Sequence, residues 1–271
     1  MSLFHRAFDL AHFVFPNGGT CLEFGVYTGG TYSYQAQQIL TKYRDSSIVG
    51  FDSWKGLPEE SDGVWAPERH DPCELAAPKT AVLEKLARLG VEPTDGRFRL
   101  VDGYFSDTLT DELRREIHDV IFINVDVDIH RSTIELLDFV RPLLRPGVVL
   151  YWDDWKDPKD ESAEAWGEHL AWSQWYPKQD RFQVETIEVN PVNQRSMLVT
   201  RDGDRGLSAP LPSISDIRYH AYGLGETEGS HEHDSSPESD PDYESFLRMK
   251  NRLRGVPLLK PLVRAVRAAK R

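Results

Sequence analysis

Five short apolar runs lie between Thr20 and Trp152, and each ends in an acid or in a glycine flanked by one. Thr20–Phe24 leads through Glu23 to Gly25. Ser47–Phe51 ends at Asp52, and Phe98–Val101 at Asp102. Val120–Val125 ends at Asp126, and Val148–Trp152 at Asp153 and Asp154. Runs that are apolar throughout are buried on both faces, as a parallel sheet covered by helices requires. Stretches with helical spacing separate them, at about Thr31–Tyr43, Thr80–Leu89, Thr108–His118 and Ser132–Leu144. This alternation predicts an α/β, doubly wound, mostly parallel sheet. A helix over Ser162–Gln174 and strands near Phe182–Val189 and Ser196–Thr200 bring the sheet to seven strands. Residues 2–15 form an additional helix that stops at Pro16-Asn17-Gly18-Gly19, and either covers the ligand or serves a homodimer contact.

In such sheets a ligand binds outside the carboxyl ends of the strands. Five acidic ends on one edge repel one another, so a cationic or donor-rich group belongs there. Gly25 and the pair Gly29-Gly30 follow a strand and open a helix, where glycine lets a ligand approach the backbone. The spacing is not the G-x-G-x-x-G of a dinucleotide site. Glu23, just ahead of the turn, would repel a pyrophosphate but suits an ammonium group. S-adenosylmethionine has that ammonium and no phosphate. Asp52 is placed to accept from ribose hydroxyls, and Asp102 to receive the adenine amino group.

Asp126, Asp153 and Asp154 end neighbouring strands, so their carboxylates should converge. Hard oxygen donors without a His/Cys set favour Mg²⁺, Mn²⁺ or Ca²⁺. A coordinated alcohol has a lowered pKa, and a nearby base, Asp126 or His130, removes its proton. Asp128 either backs the ligands or caps the following helix.

The ordered set LEFGVYTGGT, VGFDSWKGLPEE, VDGYFSDTL, INVDVDIHRST and YWDDW resembles the macrocin/novobiocin-type O-methyltransferases, over roughly residues 10–200. The resemblance implies a class I, Rossmann-like fold, S-adenosylmethionine as cofactor, Mg²⁺ (or Mn²⁺) assistance and a sugar-containing acceptor. By position it implies that Glu23, Gly25, Tyr27, Thr28, Gly29 and Thr31 hold the methionine part. Asp52, Ser53 and Trp54 would hold the ribose, with Asp102 and Gly103 flanking the adenine. Asp126, Asp153 and Asp154 match the metal-binding acids, with Asp126 also the usual base. The sequence departs at His130, where the family usually has tyrosine, which points to a different acceptor pocket.

The net charge of −12 argues against broad nucleic-acid binding, whose affinity comes mainly from neutralising phosphates. Cys21 and Cys73 have neither metal-ligand nor disulfide-framework spacing and read as reduced thiols of a cytoplasmic protein. The methyltransferase-like domain is expected over 1–201. An acidic, flexible linker follows over 202–245, then a basic amphipathic tail over 246–271 suited to peripheral contact with an anionic membrane. Trp152, Trp155, Trp166, Trp172 and Trp175 suit either stacking on sugar rings or core packing. Two other function classes stay open: an NAD-dependent nucleotide-sugar oxidoreductase, and a non-catalytic membrane-tethered module.

Overall fold

The computed structural model describes residues 2–59, 75–93, 96–155, 165–192 and 194–202. Cys73, most of the loop expected over 53–73, and the linker and tail beyond 202 lie outside the described residues. The described elements belong to the compact unit Leu3–Gly229. In chain order they are α1 (Leu3–Val14), β1 (Thr20–Phe24), α2 (Gly30–Thr41), β2 (Ser47–Asp52), α3 (Lys79–Arg88), β3 (Phe98–Asp102), α4 (Phe105–Thr108), α5 (Asp111–Glu116), β4 (Val120–Val125), α6 (His130–Val140), β5 (Val149–Trp152), α7 (Gly167–Trp175), β6 (Phe182–Val189) and β7 (Arg195–Asp202). The sheet order is β3-β2-β1-β4-β5-β7-β6, with only β7 antiparallel to its neighbours.

The seven-stranded doubly wound sheet is therefore present, with local differences. Of the stretch expected as one helix over Thr108–His118, Asp111–Glu116 is helical (α5), and a separate turn of helix, α4, ends at Thr108. Thr110 leaves helical geometry, and its hydroxyl accepts the N–H of Leu113, so the chain restarts a helix there. Helix α6 ends before Arg141–Leu143, a 3-10 turn containing Pro142.

Strand side chains alternate between two cores. Leu22, Phe24, Ile123, Val125, Leu150 and Trp152 face α6 and α7. Cys21, Ile48, Phe122, Val149 and Tyr151 face α1, α2 and α3. Helix α1 is a core element laid on β4, β5 and β7. Its Phe4 packs edge-on against Phe122 and Tyr151 at 5.8 and 5.1 Å, and Phe8 against Phe122 at 5.4 Å. Its apolar face is used by the sheet rather than by a ligand. Among the described residues no helix is long and apolar enough to cross a membrane.

His12 anchors the end of α1. Nδ1 bonds the Phe8 carbonyl at 2.9 Å and Nε2 the Ser46 hydroxyl at 3.0 Å, and the ring stacks on Tyr43. Burial pushes its pKa down to about 4 from 6.5. The folded state thus keeps His12 neutral while the unfolded chain takes up a proton. The stability this group contributes is complete above about pH 6.5 and is lost as pH falls toward 4, about 3 kcal/mol in all. In denaturant titrations the wild type should therefore lose stability relative to His12→Gln across that window. A difference independent of pH would contradict a neutral His12.

Candidate active site

The parallel register brings the acidic strand ends side by side. Asp52 pairs with Asp102, while Phe24 pairs with both Phe51 and Val125, and Val125 with Trp152. The ladder continues one residue past the strands. Gly25 N–H donates to Phe51 O, Asp126 N–H to Phe24 O, and Asp153 N–H to Val125 O, at 2.9 to 3.0 Å. Just beyond, three non-glycine residues take left-handed backbone: Tyr27 (φ 51°), Trp54 (φ 58°) and Asp128 (φ 59°). Each costs on the order of 1–3 kcal/mol, a kind of strain that concentrates at functional sites.

Two of the glycines are also required by the fold itself. Gly25 has φ 87°, and a Cβ there would lie 1.8 Å from the carbonyl oxygen of Asp126. Gly29 (φ 77°) heads α2, where a Cβ would press on Val82 of α3 at 2.9 Å. Contacts within the fold already demand both, before any ligand is considered.

The cofactor-side residues form a linked chain. Glu23 is fully buried; its Oε1 accepts from Thr31 Oγ1 at 2.8 Å and its Oε2 from Gln35 Nε2. Burial pushes its pKa up to about 8, despite the donors from Thr31, Asn124 and Gln35. Asp52 accepts the backbone N–H of Tyr27 on Oδ2 and of Trp54 on Oδ1, each at 2.7 Å. Burial raises its pKa against those bonds. Thr28 is half-buried in the turn between them. Ser53 turns into its own loop, donating to Gly56 O at 2.9 Å and accepting from Lys55 N–H. The Trp54 indole N–H donates to Asp102 at 3.0 Å, and Gly103 N–H donates to Asp52 O. Lys79 also holds Asp102, at 2.7 and 2.8 Å, with side chains 31% and 52% exposed. An exposed pair of this kind contributes only about 0–1 kcal/mol, so an incoming base can displace it.

The acids expected to hold a metal group differently from the expectation. Asp126, Asp128 and Asp154 each bring one carboxylate oxygen within 4.8 Å of the others. Asp153 is not in this group. Its Oδ1 accepts from Tyr151 OH at 3.0 Å and Gln194 Nε2 at 2.6 Å. Asp153 and Asp154 both lie past the end of β5 at Trp152, and their carboxylates part there: Asp153 turns to Tyr151 and Gln194, while Asp154 lies beside Asp126 and Asp128. Asp128 takes the third place, and the residue at the N-cap position of α6 is Ile129.

Glu168 of α7 is a functional candidate that sequence reading missed. It is fully buried, and its two oxygens accept the N–H groups of Val127 at 3.1 Å and Asp154 at 3.2 Å. It therefore joins the two loops that carry the acids. Burial, then the charge of Asp154, raises its pKa well above the usual carboxylate range. Nothing in its helical spacing distinguished it from a solvent-facing glutamate.

His130, the alternative base, opens α6, and its Nε2 bonds Gln174 Oε1 at 2.9 Å on an exposed face. Gln174 stands about 9 Å along α7 from Glu168. The tryptophans are mostly core. Trp152, Trp155, Trp172 and Trp175 are buried, with Trp152 packed edge-on against Trp155 and Trp172. Of the five, only Trp166 is partly exposed.

A family model described as a methyltransferase domain matches residues 22–155, the span holding both halves of this edge up to Asp154. A curated relative from Streptomyces olivaceus, 8-demethyl-8-(2,3-dimethoxy-alpha-L-rhamnosyl)-tetracenomycin-C 4'-O-methyltransferase, is 28% identical over 144 residues. That alignment takes in 51% of this chain, and the chain spans about half (53%) of the relative's length. Two solved structures share the fold. The calicheamicin methyltransferase CalS11 has a TM-score of 0.57 at 22% identity, covering 72% of this chain and 77% of that one. The O-methyltransferase NovP has 0.57 at 20%, covering 73% and 79%. These matches bear out the resemblance to the macrocin/novobiocin-type class I O-methyltransferases.

Proposed function

We propose that this chain transfers a methyl group from S-adenosylmethionine to a sugar hydroxyl of a glycosylated small molecule, with a divalent cation assisting. The convergence of Asp126, Asp128 and Asp154 beside the glycine turn carries the reading. Three oxygens within 4.8 Å of one another would need to draw in only slightly around one Mg²⁺ or Mn²⁺, where opposed ligands lie about 4.2 Å apart. The curated relative's name, a methyltransferase for a rhamnosyl-bearing compound, supports the acceptor class.

On this reading Asp52 and Asp102 take the ribose and adenine, and Glu23 supplies negative charge for the ammonium group. Both Glu23 oxygens are already held, so it acts through its charge and through Thr31 rather than by direct contact. A bound divalent ion would lower the pKa of the acceptor hydroxyl and fix its direction. Asp126 accepts the hydroxyl proton as the oxygen–methyl bond forms and the sulfur–methyl bond breaks, leaving S-adenosylhomocysteine. Asp126 is the base in preference to His130, whose ring is engaged with Gln174.

Calorimetry tests the cofactor. S-adenosylhomocysteine should give heat and NAD none. With Glu23 at about 8 in the free protein, the arriving ammonium pulls its pKa down. At pH 7, titrations in buffers of unlike ionisation enthalpy should show release of close to one proton. Affinity should rise with pH up to about 8 and then level off. Heat with NAD and none with S-adenosylhomocysteine would overturn the reading. Binding without proton release would remove the charge role of Glu23.

A further inference from the structure

The turn joining β6 to β7 reaches the same edge as the acids, because Arg195 opens β7 opposite Trp152, the last residue of β5. Within it, one hydrogen bond fixes the direction of the next. Asn190 Oδ1 accepts two backbone N–H groups, of Val192 at 3.2 Å and Gln194 at 2.9 Å. An amide oxygen so engaged leaves Asn190 Nδ2 as a donor, and it donates to Gln194 Oε1 at 2.7 Å. Gln194 must then point its own donor the other way, and Nε2 meets Asp153 Oδ1 at 2.6 Å. Gln194 is 4% exposed, so water cannot readily replace these partners. Tyr151 OH reaches the same oxygen from the sheet.

We infer that Asn190 and Gln194 are positioning residues: the β6–β7 turn orients the carboxylate of Asp153, immediately before Asp154, and so sets the affinity of the acid cluster for its cation. The inference rests on the divalent site proposed above. Asp153 and Asp154 share a peptide bond, so the groups that hold the Asp153 carboxylate also hold the backbone that carries Asp154. Groups that orient a metal site from behind its ligands typically change metal affinity by about 10–100-fold when removed.

Two variants separate direction from packing. Gln194→Met keeps the volume and deletes the bond. Asn190→Asp keeps the acceptor that builds the turn but removes the donor facing Gln194 Oε1. Gln194 should then turn its amino group to the new carboxylate and present its oxygen to Asp153. Mn²⁺ binding to the full chain, followed by electron paramagnetic resonance without acceptor or turnover, should weaken about tenfold in each. S-adenosylhomocysteine affinity should stay within about twofold, because Asp52 and Asp102 lie on the other half of the edge. Wild-type-like Mn²⁺ binding by Asn190→Asp, with the wild type binding, would overturn this inference alone. No Mn²⁺ binding by the wild type would overturn the divalent site and this inference with it.

Discussion

Asp154→Asn should lower methyl transfer by on the order of 10³-fold and abolish its response to Mg²⁺, while S-adenosylhomocysteine binding stays within a few-fold. The size follows from the several kcal/mol that a cation supplies to such a transition state, at 1.36 kcal/mol per factor of ten. Asp154 is 4% exposed and contributes one of the three clustered oxygens. Its own N–H is held by Glu168, so an asparagine keeps the backbone bond and loses the charge. Labelled-methyl transfer across a Mg²⁺ titration checks this. Turnover equal to the wild type at every Mg²⁺ concentration would exclude a metal role for Asp154.

Gly25→Ala should lower stability by roughly 3–5 kcal/mol, or about 10 °C in melting temperature for a domain of this size. The added Cβ would lie 1.8 Å from the Asp126 carbonyl oxygen, on a residue whose φ of 87° already disfavours a side chain. Relief requires β1 and β4 to part at their ends, which moves Asp126 away from Asp128 and Asp154. Mn²⁺ affinity should therefore fall together with the melting temperature, measured by scanning calorimetry and resonance titration. A melting temperature within about 2 °C of the wild type would show that the close approach is not as described.

The sheet was legible because its strands are apolar on both faces and end in acids. The positions of Asp52, Asp102, Asp126 and Asp154 follow from that alone. What the sequence did not convey depends on the direction of side chains beyond the strand ends. Asp153 and Asp154 are adjacent in sequence, yet past the end of β5 one turns to Tyr151 and Gln194 and the other joins Asp126 and Asp128. Asp128 enters the cluster through a left-handed backbone that a non-glycine residue rarely adopts. Glu168 and Gln194 come from distant elements whose local pattern resembles any polar surface. The glycine turn was read as room for a ligand, and the requirement that the chain's own Asp126 and Val82 place on it was not visible in the sequence. The tryptophans were open between stacking and core, and tertiary packing buries four of the five.

Methyl transfer itself is the most direct test of the account. Wild-type protein, labelled S-adenosylmethionine and a panel of rhamnosides, other glycosides and phenols should be incubated with Mg²⁺ and with EDTA. The account predicts label in the sugar of at least one glycoside with Mg²⁺, loss of that label with EDTA, and its return when Mg²⁺ is restored. Label confined to phenols, or glycoside methylation indifferent to EDTA, would contradict it.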